Sequence, residues 1–315
     1  MLGRLFTAIT PQPYGLFPYR NIDFSRQRPV QVMDSPTLED YIGRQIASQP
    51  EDDVTFDWLC GEPSPEKLAF FRDVVGLQAR LGGGRRIHNS VLIDGYLPDD
   101  GWVQFLSHHQ WLVELPLAGP AEWHDLARTR RGLPPDHAVV MDTLARLKLH
   151  QVNTKLLVDV NPVNCQHPRG LYDWLKQTGV PFIQFVPRIE GAASDILNGP
   201  QWGHFLTTVF RCWVHHDIGQ IFIQQFDAAL GAWCGLKPAP GMTPACQRCE
   251  MGWLCRAQPS ATPDVGCVLC SGYLDFFTYS APFMRVMRDL IAQRRSPVEL
   301  IPLLASVRKS APDER

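Results

Sequence analysis

The 315-residue sequence lacks any apolar run close to the ~20 residues that a membrane-spanning helix needs, and its first apolar run is too short for an export signal. It also lacks an excess of charge of either sign, because its 30 lysines and arginines are nearly balanced by 32 aspartates and glutamates. A formal net charge of −2 gives no electrostatic attraction to nucleic acid or to a membrane surface. The sequence shows no internal repeat and no low-complexity segment. These absences predict a cytoplasmic protein whose partners include neither nucleic acid nor membrane.

Nine cysteines are present, and without an export signal they are expected to be reduced thiols or metal ligands rather than disulfides. Five of them lie between residues 244 and 277: Cys246, Cys249, Cys255, Cys267 and Cys270. The two CxxC pairs are seventeen residues apart, which is typical of a site for one soft metal ion or cluster. The alternative is a set of buried thiols that act as small apolar side chains.

Predicted strands and helices alternate through most of the chain. The strand Val54–Leu59 is followed by a helix that opens at Ser64-Pro65, and the last strand is predicted over Gln220–Gln225. Units of roughly 25 to 35 residues indicate parallel strands with crossover helices, and therefore a (β/α) barrel or a doubly wound sheet. In a barrel the chemistry gathers at the carboxyl ends of the strands. Three loops are expected there: Cys60-Gly61-Glu62-Pro63, Asp94-Gly95 and Ala118-Gly119-Pro120.

Four stretches resemble the anaerobic sulfatase-maturating enzymes, which are radical S-adenosylmethionine (SAM) enzymes with a C-terminal Cys-rich extension called the SPASM domain. They are VTFDWLCGEPSPEKLAFF at 54–71, residues 89–125, HPRGLYDWLKQTGVPFIQFVPRIE at 167–190, and residues 246–284 with CSGYLDFF. The resemblance implies an α/β fold: a partial (β/α)6 TIM-like barrel over residues 1–231 and a shortened Cys-rich, SPASM-like extension over 232–280. Residues 281–315 then form a C-terminal helix, predicted over Ser280–Arg294, and a tail.

The sequence departs from this family at the residues that carry its chemistry. The family's CxxxCxxC motif, which holds the cluster that binds SAM, falls by ungapped counting at Leu16, Arg20 and Asp23, and no cysteine precedes Cys60. The GGEP motif, which holds the amino group of SAM, is here Cys60-Gly61-Glu62-Pro63, and a Cβ at its first position removes the close approach that glycine allows. The resemblance therefore implies an eroded SAM motif and no bound SAM.

The extension is also reduced. The family has two auxiliary clusters, and two [4Fe–4S] clusters need about eight thiolates. Only the five cysteines between residues 244 and 277 are present here, so at most one [4Fe–4S] cluster is expected, with zinc or no metal as alternatives.

Two further residues match positions of the family. Asp227 follows Gln225-Phe226 as the family's acidic residue does, which implies a proton acceptor; the alternative is an ordinary strand-end or N-cap aspartate. Arg128 follows His124-Asp125 as in the family's His-Asp-x-x-Arg, on the side that lines the substrate.

The sequence therefore predicts a degenerate maturase, a pseudoenzyme that keeps the groove for a sulfatase or another Cys- or Ser-containing peptide or protein. The alternative is an active maturase that converts Cys or Ser to formylglycine. A third hypothesis is a relic without a selected function.

Overall fold

The computed structural model describes residues 32–49, 51–236, 249–255 and 268–310. The aligned cluster positions Leu16, Arg20 and Asp23 lie outside the described residues, as do Cys246 and Cys267. The strands are β1 (Asp53–Gly61), β2 (Arg86–Ile93), β3 (Leu112–Pro116), β4 (Asn153–Val160), β5 (Phe182–Pro187) and β6 (Phe222–Ile223). The helices are α1 (Ser35–Ser48), α2 (Pro65–Leu81), α3 (Asp100–His108), α4 (Ala121–Thr129), α5 (His137–Leu149), α6 (Pro168–Gln177), α7 (Gly199–His216), α8 (Gln224–Trp233), α9 (Cys270–Ala292) and α10 (Leu300–Ser310).

The six strands form one parallel sheet in the consecutive order β1-β2-β3-β4-β5-β6. A doubly wound sheet reverses its strand order in the middle, whereas consecutive order is that of a barrel wall. The predicted α/β class and partial six-unit barrel are therefore confirmed.

Local sequence explains where helix α2 begins and which face it buries. Ser64 is the N-cap, its hydroxyl accepts a hydrogen bond from the Lys67 backbone N–H, and Pro65 occupies the first helical position. Gln78, rather than the neighbouring leucine, lies on the buried face. Its side-chain amide exchanges hydrogen bonds of 2.8 and 2.9 Å with Asn89 on β2, so a buried polar pair fixes the helix to the sheet.

The two faces of the sheet differ in character because side chains alternate along each strand. The outer face packs apolar residues against the helices, and Phe56, Val113 and Val158 are fully buried there. The inner face, defined here as the face opposite the helices, carries the polar residues Asp57, Ser90, Glu114, Lys155 and Gln184. Asp57 pairs in register with Ser90, and Glu114 pairs in register with Lys155.

Helices α7 and α9 approach each other so closely that only glycine fits between them. A Cβ on Gly272 of α9 would lie 2.6 Å from the Gly203 nitrogen of α7 and in hard contact with the Gly199 carbonyl oxygen. This contact fixes the start of α9, and with it Cys270, to the barrel.

The structure corrects three predictions in the last third of the chain. The strand expected over Gln220–Gln225 is only Phe222–Ile223, and Asp227 lies in the first turn of α8 rather than at a strand end. The C-terminal helix expected from Ser280 begins ten residues earlier, at Cys270, and so runs through residue 280. Within the described residues no helix combines the length and apolarity that crossing a bilayer requires.

Candidate cofactor and peptide site

The carboxyl end of β1 turns sharply at Cys60-Gly61-Glu62-Pro63. Gly61 has φ +60°, a left-handed conformation that favours glycine, and the pairing with β2 shifts by one residue between Leu59 and Gly61. The Cys60 side chain is buried in the outer core at 1% exposure, and burial raises the pKa of its thiol to about 12. Cys60 is therefore a core thiol, turned away from the inner face. Glu62 is exposed.

Lys67, which the sequence analysis passed over, completes this turn. Its ammonium lies 2.7 Å from the Cys60 carbonyl oxygen and 2.7 Å from the Glu62 carbonyl oxygen. The family's GGEP holds the amino group of SAM, and here a side-chain ammonium already uses the carbonyls of the corresponding turn. The turn as folded does not fit that group of the cofactor.

The inner face holds a buried ion pair between strands β3 and β4. The Lys155 ammonium lies 2.5 Å from a carboxylate oxygen of Glu114, and the two side chains are 5% and 1% exposed. The same ammonium is 3.3 Å from the Gln224 side-chain oxygen, at the start of α8. Nearby, Asp159 and Arg188 form a second buried pair through two hydrogen bonds. These contacts cross-link neighbouring strands of the barrel from the inside.

The loop after β3 is held by His124 of α4. The His124 Nδ1 accepts a 3.1 Å hydrogen bond from the Ala118 backbone N–H, so the proton of the neutral ring is on Nε2, which donates to Asp136 at 2.7 Å. Arg128 also contacts Asp136, at 2.8 Å. Asp125 accepts from the backbone N–H groups of Asp136 and His137 and so caps α5.

The side chains of His124, Asp125 and Asp136 thus have hydrogen-bonding roles, although their ligand atoms lie within 4.8 Å of one another. The predicted Arg128 lies in the same network. Arg128 and the two hydrogen-bonded carboxylates make this cluster a support for the loop at Ala118-Gly119-Pro120.

Asp227 is partly buried at the start of α8, between the buried residues Phe226 and Ala229. Burial raises the pKa of its carboxyl from 3.8 to about 7. A carboxyl with a pKa near neutrality can both accept and return a proton at physiological pH.

Three of the five extension cysteines lie within the described residues. Cys249 and Cys255 bracket a short turn that docks on the end of α8, where Trp253 meets Trp233 edge-to-face at 4.9 Å. Cys270 is the first residue of α9. Thiolates are suitable donors for iron or zinc, but the sulfurs of Cys249, Cys255 and Cys270 do not all lie within 4.8 Å of one another. Cys246 and Cys267, the other two predicted ligands, lie outside the described residues, so the metal site stays a prediction.

The remaining cysteines belong to the core. Cys165 and Cys234 are 3% exposed, and Cys212 is half-buried. Burial raises the pKa of all three thiols, to about 11 for Cys165. Such protonated thiols are poor metal ligands.

No family model matches the chain. The serine-type anaerobic sulfatase-maturating enzyme of Bacteroides thetaiotaomicron is 34% identical over 233 residues, which are 68% of this chain and 56% of that enzyme. The cysteine-type enzyme of Clostridium perfringens (strain ATCC 13124) is 26% identical over 208 residues, 63% of this chain and 56% of that enzyme. The chain thus spans about half the length of these maturases. The uncharacterized protein YidF of Escherichia coli (strain K12) is 43% identical over 156 residues, 48% of this chain and 91% of YidF.

Among solved structures, native anSMEcpe with bound AdoMet and Kp18Cys peptide superposes with a TM-score of 0.72 at 20% identity. The superposition covers 85% of this chain and 94% of anSMEcpe, and it shows that the two share a fold. The match to the Bacteroides thetaiotaomicron enzyme, at 34% identity over 68% of this chain, shows that the chain belongs to the family of the anaerobic sulfatase-maturating enzymes.

Proposed function

We propose that this chain is a maturase homologue that binds a sulfatase-type peptide or protein segment without cleaving SAM. One observation carries the loss of chemistry: residues 1–59 contain no cysteine. A cluster that leaves one iron free for SAM needs three protein thiolates, and Leu16, Arg20 and Asp23 supply none.

Retained binding is supported by the open rim at the carboxyl ends of β1 and β2. This rim consists of Leu59, Glu62, Asp94 and Tyr96. Leu59 is 54% exposed and Tyr96 is 44% exposed, and the two carboxylate side chains beside them are exposed as well. Although Asp94 is exposed at the rim, the surrounding protein partly desolvates its carboxyl and raises the pKa of that group, an effect that the charge of Lys67 opposes. Apolar side chains next to carboxylates suit an extended peptide that presents an apolar residue and a basic one.

Calorimetric titration of the full chain with a sulfatase peptide, in Cys and Ser versions, tests this proposal. We expect a Kd in the micromolar range and no binding of a scrambled peptide. Leu59→Ser should weaken binding at least about tenfold, which corresponds to about 1.4 kcal/mol. Leu149→Ser is the matched control, because Leu149 is 78% exposed in α5, outside the rim. No measurable heat with either peptide would contradict retained binding.

Asp227 favours the second candidate function, an active maturase, because its pKa of about 7 suits a proton acceptor. That function requires cleavage of SAM. Reconstitution of the anaerobic protein with iron and sulfide, followed by assay for 5′-deoxyadenosine, distinguishes the two. The product would appear only if the chain is an enzyme.

The proposal includes at most one [4Fe–4S] cluster, or one zinc ion, in the extension and none in the barrel. It also places the chain in the cytoplasm, because Cys60, Cys165, Cys212 and Cys234 are free thiols, as is usual in a reducing compartment. Sulfatases, or other proteins that present a Cys- or Ser-containing segment, are the proposed partners.

A further inference from the structure

Lys67 is the third residue of α2, in the first turn of the helix. Cations are disfavoured at this end, because the positive end of the helix dipole lies there. A lysine at this position therefore needs a compensating interaction. The two carbonyl oxygens at 2.7 Å supply it, since hydrogen bonds from a charged donor are stronger than neutral ones.

The two carbonyls belong to residues on either side of Gly61. The left-handed φ of +60° at Gly61 turns the chain so that both oxygens converge on one point. Convergent backbone oxygens of this kind accept hydrogen bonds from any primary ammonium group, and their specificity lies in geometry rather than in the identity of the donor. The turn is thus a small ammonium receptor.

We propose that Lys67 is a built-in ligand that occupies this receptor in place of an external primary ammonium, such as the amino group of an amino-acid-derived cofactor. The inference rests on the proposed function, because it supplies one reason why SAM is not bound. It concerns the ammonium contact alone and is independent of the peptide. The charge of Lys67 also acts on its surroundings, since it opposes the effect of burial on the pKa of Asp94 and of Cys60.

The size of the effect follows from competition within the molecule. A tethered ligand acts at an effective concentration in the millimolar range or above. If the receptor is vacant in about a tenth of the molecules, the apparent affinity for an external ammonium falls about tenfold. Removing the ammonium of Lys67 should therefore raise that affinity by a similar factor.

S-Adenosylhomocysteine is a suitable probe, because it carries the amino-acid ammonium and cannot be cleaved. Its Kd is measured by calorimetry on the full chain for the wild type, Lys67→Ala and the control Glu66→Ala, which changes an exposed residue of the same turn. We expect Lys67→Ala alone to bind S-adenosylhomocysteine more tightly than the wild type, by about tenfold or more. Adenosine, which lacks the ammonium, should bind all three proteins equally. Equal S-adenosylhomocysteine affinity in wild type and a folded Lys67→Ala would overturn the proposal, whatever the result with peptides.

A second measurement uses only the wild type and so does not depend on whether the variant folds. Acetic anhydride labelling with mass spectrometry compares the rate at which Lys67 is acetylated in the native and the urea-unfolded chain. An ammonium held by two carbonyls should react at least about tenfold more slowly in the native chain. Equal rates would show that the receptor is open and would also refute the inference.

Discussion

Gly272→Ala tests the attachment of the Cys-rich extension to the barrel. The new Cβ would lie 2.6 Å from the Gly203 nitrogen and in hard contact with the Gly199 carbonyl oxygen. Both are backbone atoms of α7, so neither can move aside by a change of rotamer. Two helices would have to separate.

The expected loss of stability can be bounded from both sides. Overpacking in a well-packed core costs about 1 to 3 kcal/mol, and a clash with two backbone atoms belongs at the upper end of that range. Alanine gains about 1 kcal/mol over glycine in a helix interior. The net change for Gly272→Ala is therefore a loss of about 2 kcal/mol in the free energy of unfolding.

Gly76→Ala is the matched control, because Gly76 is an exposed residue of α2 and a Cβ added there would meet no heavy atom within 4 Å. The same chemical change should there stabilise the protein by about 0.5 to 1 kcal/mol. Urea unfolding followed by tryptophan fluorescence and circular dichroism measures both variants. If Gly272→Ala were as stable as Gly76→Ala, the close approach of α7 and α9 would be wrong.

Three further predictions concern the site. Asp227→Asn should raise the free energy of unfolding by about 2 to 4 kcal/mol at pH 8 and leave it unchanged at pH 3.5. Urea unfolding at both pH values measures this. The reason is that the raised carboxyl pKa, about 7 against 3.8, makes the stability contribution of Asp227 fall as pH rises between these values. Lys155→Met should cost about 3 to 5 kcal/mol, because it leaves Glu114 buried without its counter-charge, and Lys155→Met/Glu114→Leu should recover most of this loss in a double-mutant cycle. Anaerobically purified protein should hold at most one cluster or one zinc ion by elemental analysis. Cys270→Ala should lower the metal content, whereas Cys60→Ala should leave it unchanged. The opposite result would show that the proposed ligands are wrong.

Local sequence signals predicted the α/β class and the start of several elements, whereas the choice of a barrel over a doubly wound sheet came from the family resemblance. Ser64-Pro65 marks the start of α2 through a side-chain cap and a fixed φ, and the β-branched and aromatic run from Val54 predicts β1. The order of the strands was also predictable, because consecutive parallel strands joined by crossover helices usually lie next to each other in the sheet.

The start of α9 could not be predicted in the same way. Gly272 and Pro282 both indicate breaks by propensity, yet both lie within the helix. Packing against α7 overrides propensity here, and Gly272 is needed because the helices touch. A contact between segments some seventy residues apart has no local signal in one sequence.

The functional residues that sequence analysis missed are charged groups in unfavourable positions. Lys67 lies at the helix end that repels cations, and Lys155 lies in a strand that is otherwise largely apolar. Each anomaly was visible in the sequence. The partner that explains it was not, because the carbonyls of the β1 turn and the Glu114 carboxylate come close only through the fold.

The burial of the four thiols that lie outside residues 244–277 has a practical consequence for chemical probing. Cys60, Cys165, Cys212 and Cys234 all have pKa values raised by burial, so at neutral pH they hold their protons and resist alkylation. Iodoacetamide applied to the native protein would therefore modify mainly the cysteines between residues 244 and 277. The extent of their alkylation would follow their metal occupancy without any cysteine having to be removed.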